Sequence, residues 1–240
     1  MTRHHAEHFA QVEDWIFDLD NTLYPAGCNL FAQIDARMAH YIEERLGIAY
    51  PEARRIQKAL YVEHGTTLAG LMREHDVDPH DFMDYVHDID LSSLAPDPRL
   101  RGALASLPGR KFVHTNGSIL HAENVLKALG LEGIMNDVFD VEMGAWVPKP
   151  HPSNYHLCRD RFGIEPESAA MFEDMVVNLK VPHALGMRTV LIASEAPWID
   201  DEPAEKRPGA GHEEADHIHV VTSDLTDFLE TLATRKGTGQ

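Results

Sequence analysis

The stretch Val12-Glu13-Asp14-Trp15-Ile16-Phe17-Asp18-Leu19-Asp20-Asn21-Thr22-Leu23-Tyr24-Pro25 decides how this chain is read. Three apolar residues, Trp15, Ile16 and Phe17, predict a buried strand that runs into two aspartates one residue apart. Ligands of open parallel sheets bind beyond the carboxyl ends of strands. Two carboxylates at such an end repel each other unless a positive group lies between them or one keeps a proton. Asp18 and Asp20 therefore ask for a divalent cation, a nucleophile-plus-acid pair, or both.

Downstream the pattern turns helical. Asn29 is expected as an N-cap, with Leu30, Ile34, Met38, Tyr41, Ile42 and Leu46 as an apolar stripe that Gly47 ends. Further helices are expected from near Pro51, from Thr66 or Thr67, and from Pro79 with Asp78 as its cap. Residues 91–98 predict a linker. Strands and helices then alternate: strands at 111–114, 138–140, 169–172, 188–192 and 218–221, helices at 118–130, 153–163, 176–186 and 225–232. Such alternation is the mark of a parallel α/β sheet. Residues 196–216, rich in Pro, Gly, Asp and Glu, predict a solvated loop. The expected layout is an α/β core from residues 1–24 and 97–240, interrupted by a helical insertion over 25–96 that forms a lid.

The strong polar signals fall where predicted core strands end. Thr115-Asn116-Gly117 follow Phe112-Val113-His114, and Glu173-Asp174 follow Met171-Phe172, with Asn178 four residues on. Lys149 sits in Val147-Pro148-Lys149-Pro150-His151-Pro152, a loop stiffened by three prolines. This chemistry suits phosphoryl transfer. Asp18, Asp174 and a main-chain carbonyl make a hard oxygen site suited to Mg²⁺. One aspartate can attack phosphorus and a second can move the proton. A threonine hydroxyl can hold phosphoryl oxygens, and a lysine supplies fixed positive charge.

Taken together, the four segments resemble the four motifs of the haloacid dehalogenase superfamily, in its phosphatase branch, and they occur in that order along most of the chain. The resemblance implies a Rossmann-like parallel-sheet core with an inserted all-helical cap of the family's first type. It implies Asp18 as nucleophile and Mg²⁺ ligand, and Asp20 as general acid/base with its main-chain carbonyl on the metal. Thr115 and Asn116 would bind the phosphoryl group, and Lys149 would hold both nucleophile and phosphate. Asp174 would be the principal acidic ligand, Glu173 would help indirectly, and Asn178 would support that loop. Tyr24-Pro25, Leu30 to Asp35, Arg37-Met38 and the pairing of Thr115-Asn116-Gly117 with Lys149-Pro150-His151 look like the pyrimidine 5′-nucleotidase group. Nucleoside monophosphates such as UMP or CMP are then the implied substrates, with sugar phosphates as the alternative.

Composition narrows the remaining classes. A formal net charge of -18 disfavours a nucleic-acid scaffold or an anionic membrane partner. Two cysteines, Cys28 and Cys158, read as reduced thiols rather than a disulfide frame. With no apolar leader region and no apolar run near the roughly 20 residues of a membrane span, the expectation is a cytoplasmic monomer or homodimer. His4, His5 and His8, and the alternating pair His217 and His219, lack the cysteine or carboxylate spacing of a zinc site. The Phe31, Ile34, Met38, Tyr41 stripe is expected as core, while one of Gln33, Asp35 and Arg37 could face a substrate. A dehalogenase needs no acid two residues after its nucleophile, so Asp20 counts against that chemistry. A phosphomutase would need a cap that excludes water. A phosphorylated receiver module is near 120 residues and lacks a large helical insertion, whereas this chain has 240 residues.

Overall fold

A computed structural model describes residues 6–203, 207–209, 212 and 215–233; His4 and His5 lie outside them. Strand β1 (Asp14–Phe17) is followed by helices α1 (Leu30–Leu46), α2 (Tyr50–His64), α3 (Thr67–His75), α4 (Pro79–Val86) and α5 (Pro98–Ser106). The chain then alternates through β2 (Arg110–His114), α6 (Ile119–Ala128), β3 (Asp137–Phe139), α7 (Pro152–Phe162), β4 (Ala169–Glu173), α8 (Lys180–Leu185), β5 (Arg188–Ile192), β6 (Val220–Thr222) and α9 (Leu225–Ala233).

The six strands form one parallel sheet in the order β3-β2-β1-β4-β5-β6. Strand β1 lies in the middle because all its residues are buried, which a central parallel strand requires. Its side chains alternate between faces. Trp15 and Phe17 join Val113, Phe172, Leu104, Val125 and Phe228 in one core cluster. Ile16 joins Phe112, Met171, Leu191, Cys158 and Leu179 in the other. Each such side chain, moved out of water, contributes about 1.5–3 kcal/mol. The order of strands reverses between β1 and β4, so a crevice opens beyond their carboxyl ends. Asp18 follows β1, and Asp174 follows β4.

Helices α1 to α4 have a core of their own, including Ile34, Ile42, Leu60, Leu71, Phe82 and Val86. Val141 and Trp146, from the segment after β3, pack into it and tie the inserted helices to the sheet. Where α2 and α3 meet, a Cβ on Gly70 would lie 2.8 Å from Leu60 Cβ, so that contact needs glycine.

Four features differ from the expected pattern. Asn29 does stand at the start of α1, but in a left-handed conformation with no side-chain capping bond. Helix α5 falls where a linker ended; Asp97 accepts from the backbone N–H groups of Arg99 and Leu100, and Pro98 opens the helix, as Asp78 and Pro79 do for α4. The helix expected over 176–186 is a 3₁₀ turn, Val176–Leu179, followed by the short α8. The segment expected to be a solvated loop carries a 3₁₀ helix, Pro197–Asp201, and a buried carboxylate, Glu202. Among the described residues no helix is long and apolar enough to cross a membrane.

Candidate active site

The first strand delivers Asp18 into the crevice. Its backbone N–H donates to Phe172 O at 2.9 Å, continuing the β1–β4 pairing one residue past the strand. The Lys149 ammonium donates to Asp18 Oδ1 at 2.6 Å, to Glu173 Oε1 at 2.6 Å and to the main-chain oxygen of His114 at 2.8 Å. All three donors of the lysine are thus used. Burial alone would lower its pKa, but Asp18 and Glu173 raise it above the ordinary value, so the ammonium stays charged.

Asn116 sets that lysine in place. Its amide donates to Lys149 O at 3.2 Å and accepts from Lys149 N at 2.8 Å, so the side chain is spent on the loop backbone. Thr115 is buried on the cavity wall, and its hydroxyl accepts from Gly117 N at 2.9 Å. Its hydroxyl proton remains available to an incoming oxygen. Asn178 donates to Glu173 Oε1 at 2.7 Å, and Met175 N donates to Glu173 Oε2 at 2.8 Å. Glu173 therefore has both oxygens engaged by protein donors.

Asp18, Glu173 and Asp174 each place a carboxylate oxygen within 4.8 Å of the others, all three residues being buried. Burial and the neighbouring acids push Asp18 up to about 7 against the pull of Lys149, and push Asp174 well above the carboxylate range. One ammonium does not balance three buried acids, so a cation would relieve both shifts. Asn21, whose amide donates to Asp174 Oδ2 at 3.3 Å, has a buried Oδ1 with no hydrogen-bond partner among the described residues. A buried orphan acceptor beside a carboxylate suits the hydrated shell of a hard ion. The donor set is all oxygen, and it fits Mg²⁺ with Asp18 and Asp174 as the side chains free to coordinate.

Asp20 turns away from this cluster. Its Oδ1 accepts from the Tyr24 hydroxyl at 2.5 Å and pairs with His121 Nε2 at 2.8 Å. Burial raises its pKa, but His121 and Tyr24 outweigh it and hold the carboxyl at about 2. His87, at the end of α4, stacks on His121 with ring centroids 4.2 Å apart. Neither histidine was singled out by sequence reading. His121 lies one turn after Ser118, the cap of α6, and thus near the Thr115 turn, which is the signal that could have found it. His114 is buried as a strand residue and pairs with Asn154; His151 is exposed at the start of α7.

A cavity of about 190 Å³ joins these groups to the inserted helices. Ile34 and Met38 face it as well as their own core, and Phe31 lines it without joining that core, so part of a stripe expected as core is also cavity wall. Of Gln33, Asp35 and Arg37, only Asp35 lines it; Gln33 is bonded to Asp90, and Arg37 to Tyr85 and Asp88. Trp146 lines it from a segment where Ala145 and Trp146 both have positive φ, 56° and 60°. Two adjacent non-glycine residues in the left-handed region are costly, and such strain tends to sit at functional sites.

A model of the family described as haloacid dehalogenase-like hydrolase matches residues 16–186. Among curated proteins, "Phosphate metabolism protein 8" of Saccharomyces cerevisiae is 26% identical over 195 residues, 74% of this chain and 60% of that protein. Fructose-1-phosphate phosphatase YqaB of Escherichia coli is 30% identical over 125 residues, 50% of this chain and 65% of that protein. The chain thus spans under two thirds of the length of these relatives. Among solved structures, a phosphatase of Thermococcus onnurineus superposes with a TM-score of 0.58 at 17% identity, over 92% of this chain and 98% of the other. The L-2-haloacid dehalogenase of Xanthobacter autotrophicus gives 0.58 at 16% identity, over 93% and 99%. The putative hydrolase YfnB of Bacillus subtilis, solved with magnesium, gives 0.53 at 15% identity, over 92% and 98%. These likenesses establish a shared fold, and the family match runs from the first strand to the end of α8. This chain belongs to the haloacid dehalogenase-like hydrolases.

Proposed function

We propose that the protein is a phosphomonoester hydrolase that requires Mg²⁺ and works through an aspartyl-phosphate on Asp18. The observation that carries this reading is Lys149 Nζ bridging Asp18 and Glu173 at 2.6 Å each, beside a buried cluster of three acids. The named phosphatases among the relatives support it. In this reading residues 25–96 act as a cap over a core of residues 1–24 and 97–240.

When bound, Mg²⁺ would be held by Asp18, Asp174 and the main-chain carbonyl of Asp20, and would neutralise charge on the phosphoryl oxygens. An Asp18 oxygen bonds to phosphorus while the bond from phosphorus to the leaving oxygen breaks. Asp20 delivers a proton to that oxygen; the charge of a bound phosphate raises its proton affinity from the resting value of about 2. Water then attacks phosphorus, Asp20 takes up its proton, and the bond to Asp18 breaks, which releases phosphate and restores the carboxylate. Thr115 donates to a phosphoryl oxygen, and Lys149, bonded to Asp18, supplies positive charge beside the transferred group.

For the substrate we favour a pyrimidine nucleoside monophosphate, UMP or CMP, on the strength of the motif-one and cap residues that resemble that group. A second reading, a sugar phosphate, is favoured by the cavity. Its volume of about 190 Å³ lies below the roughly 300–1,000 Å³ usual for ligand pockets. The test is phosphate release over a panel of nucleotides and sugar phosphates, with and without Mg²⁺. The proposal expects turnover that EDTA abolishes and fresh Mg²⁺ restores; equal turnover of UMP, CMP and purine nucleotides would remove the pyrimidine assignment.

A further inference from the structure

Away from the strand ends, the same cavity has a second polar cluster that the reaction does not use. Asp35 of α1 pairs with Arg54, and its Oδ1 accepts from Gln57 Nε2 at 2.6 Å and Lys58 Nζ at 2.8 Å. Lys58 reaches across to Glu202 Oε1 at 2.5 Å, joining α2 to the segment after β5. Two acids and two bases balance. One atom is left over: Glu202 Oε2 is buried, in a residue 5% exposed, and has no hydrogen-bond partner among the described residues. Glu202 also lines the cavity that Asp18 lines.

Leaving a buried acceptor unmatched is costly, and more so when it is charged. The Lys58 bond holds Glu202 at the cavity wall through Oε1, which leaves Oε2 as an acceptor for a donor there. Beside it, Phe31 and Trp198 form an aromatic pair, centroids 5.2 Å apart, and both line the cavity. Trp198 is pinned by its indole N–H donating to Ala26 O at 3.0 Å.

We propose that Glu202 is the acceptor of a leaving-group subsite, so that the protein selects phosphomonoesters whose leaving group carries an N–H or O–H donor against the Phe31–Trp198 wall. The proposal rests on the phosphomonoesterase reading above. Either a base N–H or a sugar hydroxyl supplies that chemistry, and the two are separated by the choice of probes.

The experiment compares substrates that differ by one donor, in wild type and in Glu202→Gln. The pairs are UMP against N3-methyl-UMP and ribose 5-phosphate against 2-deoxyribose 5-phosphate, with p-nitrophenyl phosphate as the reference that has no donor. Wild type is expected to favour the donor-bearing member of one pair by about tenfold or more in kcat/KM. The pair that responds identifies the source, base or sugar. Glu202→Gln places an amide N–H₂ where the free oxygen stood, so that preference collapses, and kcat/KM for the preferred ester falls about tenfold more than for p-nitrophenyl phosphate. The wild-type comparison needs no variant to fold. Equal rates within both pairs, or a Glu202→Gln loss that is the same for every ester, overturn the proposal. No phosphate release from any ester, p-nitrophenyl phosphate included, overturns the phosphatase reading and this inference with it.

Discussion

At the strand ends, Lys149, Asp18, Glu173 and Asn178 hold one another through bonds of 2.6–2.7 Å. In the inserted helices, Phe31, Met38 and Phe82 face the same cavity with apolar surface instead. The first region is over-determined. Its members come from strand ends or the loops beside them, and the parallel sheet fixes their spacing. The second is a set of helix faces closed by the 197–202 segment, whose polar contacts leave one acceptor unfilled. Charge that must be held still is placed on the sheet, and shape that must match a ligand is placed on helices and a loop.

Predictions test that division in descending order of effect. Asp18→Asn removes the group that attacks phosphorus and should cut kcat by about 10⁴ or more while the fold persists. Steady-state phosphate release with circular dichroism checks this; substantial residual turnover would move the nucleophile elsewhere. Lys149→Gln strips the shared ammonium from two buried acids. It should lower kcat by about 10²–10³ and stability by about 3–5 kcal/mol. If urea unfolding shows a loss below 1 kcal/mol, the network is not holding the region as described.

His114 gives a pH test of the sheet side. Burial, and then the charge of Lys149, depress its pKa from 6.5 to about 3. The unfolded chain therefore binds a proton that the folded chain refuses. This contribution is complete above pH 6.5 and is lost as pH falls toward 3, amounting to about 2 kcal/mol by pH 5. The raised carboxyls of Asp18 and Asp174 push stability the other way in both proteins, so the test is a difference: from pH 8 to pH 5 the denaturant midpoint of wild type should fall relative to that of His114→Gln. On the helical side, Phe31→Ala should raise KM for the preferred ester about tenfold, with kcat altered much less. A matching fall in kcat would show that the roof also sets the reacting geometry.

Much of this was legible because local rules and the tertiary structure agree. Asp78-Pro79 marks the start of α4, and the alternation of Trp15, Ile16 and Phe17 between two buried faces marks a central strand. The same Asp-Pro signal at Asp97-Pro98 opens α5 and went unread because it stood inside a stretch rich in turn residues. Residues 196–216 misled for the opposite reason. Their composition is that of a solvated loop, yet Trp198 and Glu202 are recruited by Ala26 and Lys58, partners more than 140 residues away in sequence.

By itself the sequence determined which residues end the core strands, and therefore that two aspartates, a threonine, a lysine and an acidic pair share one sheet edge. How they divide the work emerges only from packing. Asp20 leaves the acid cluster for His121, Asn116 is spent on the Lys149 backbone, and Glu202 reaches the cavity. The physical reason is range: strand and cap signals act over a few residues, whereas which buried donor meets which acceptor depends on elements that the chain brings together only when the sheet and the inserted helices have packed.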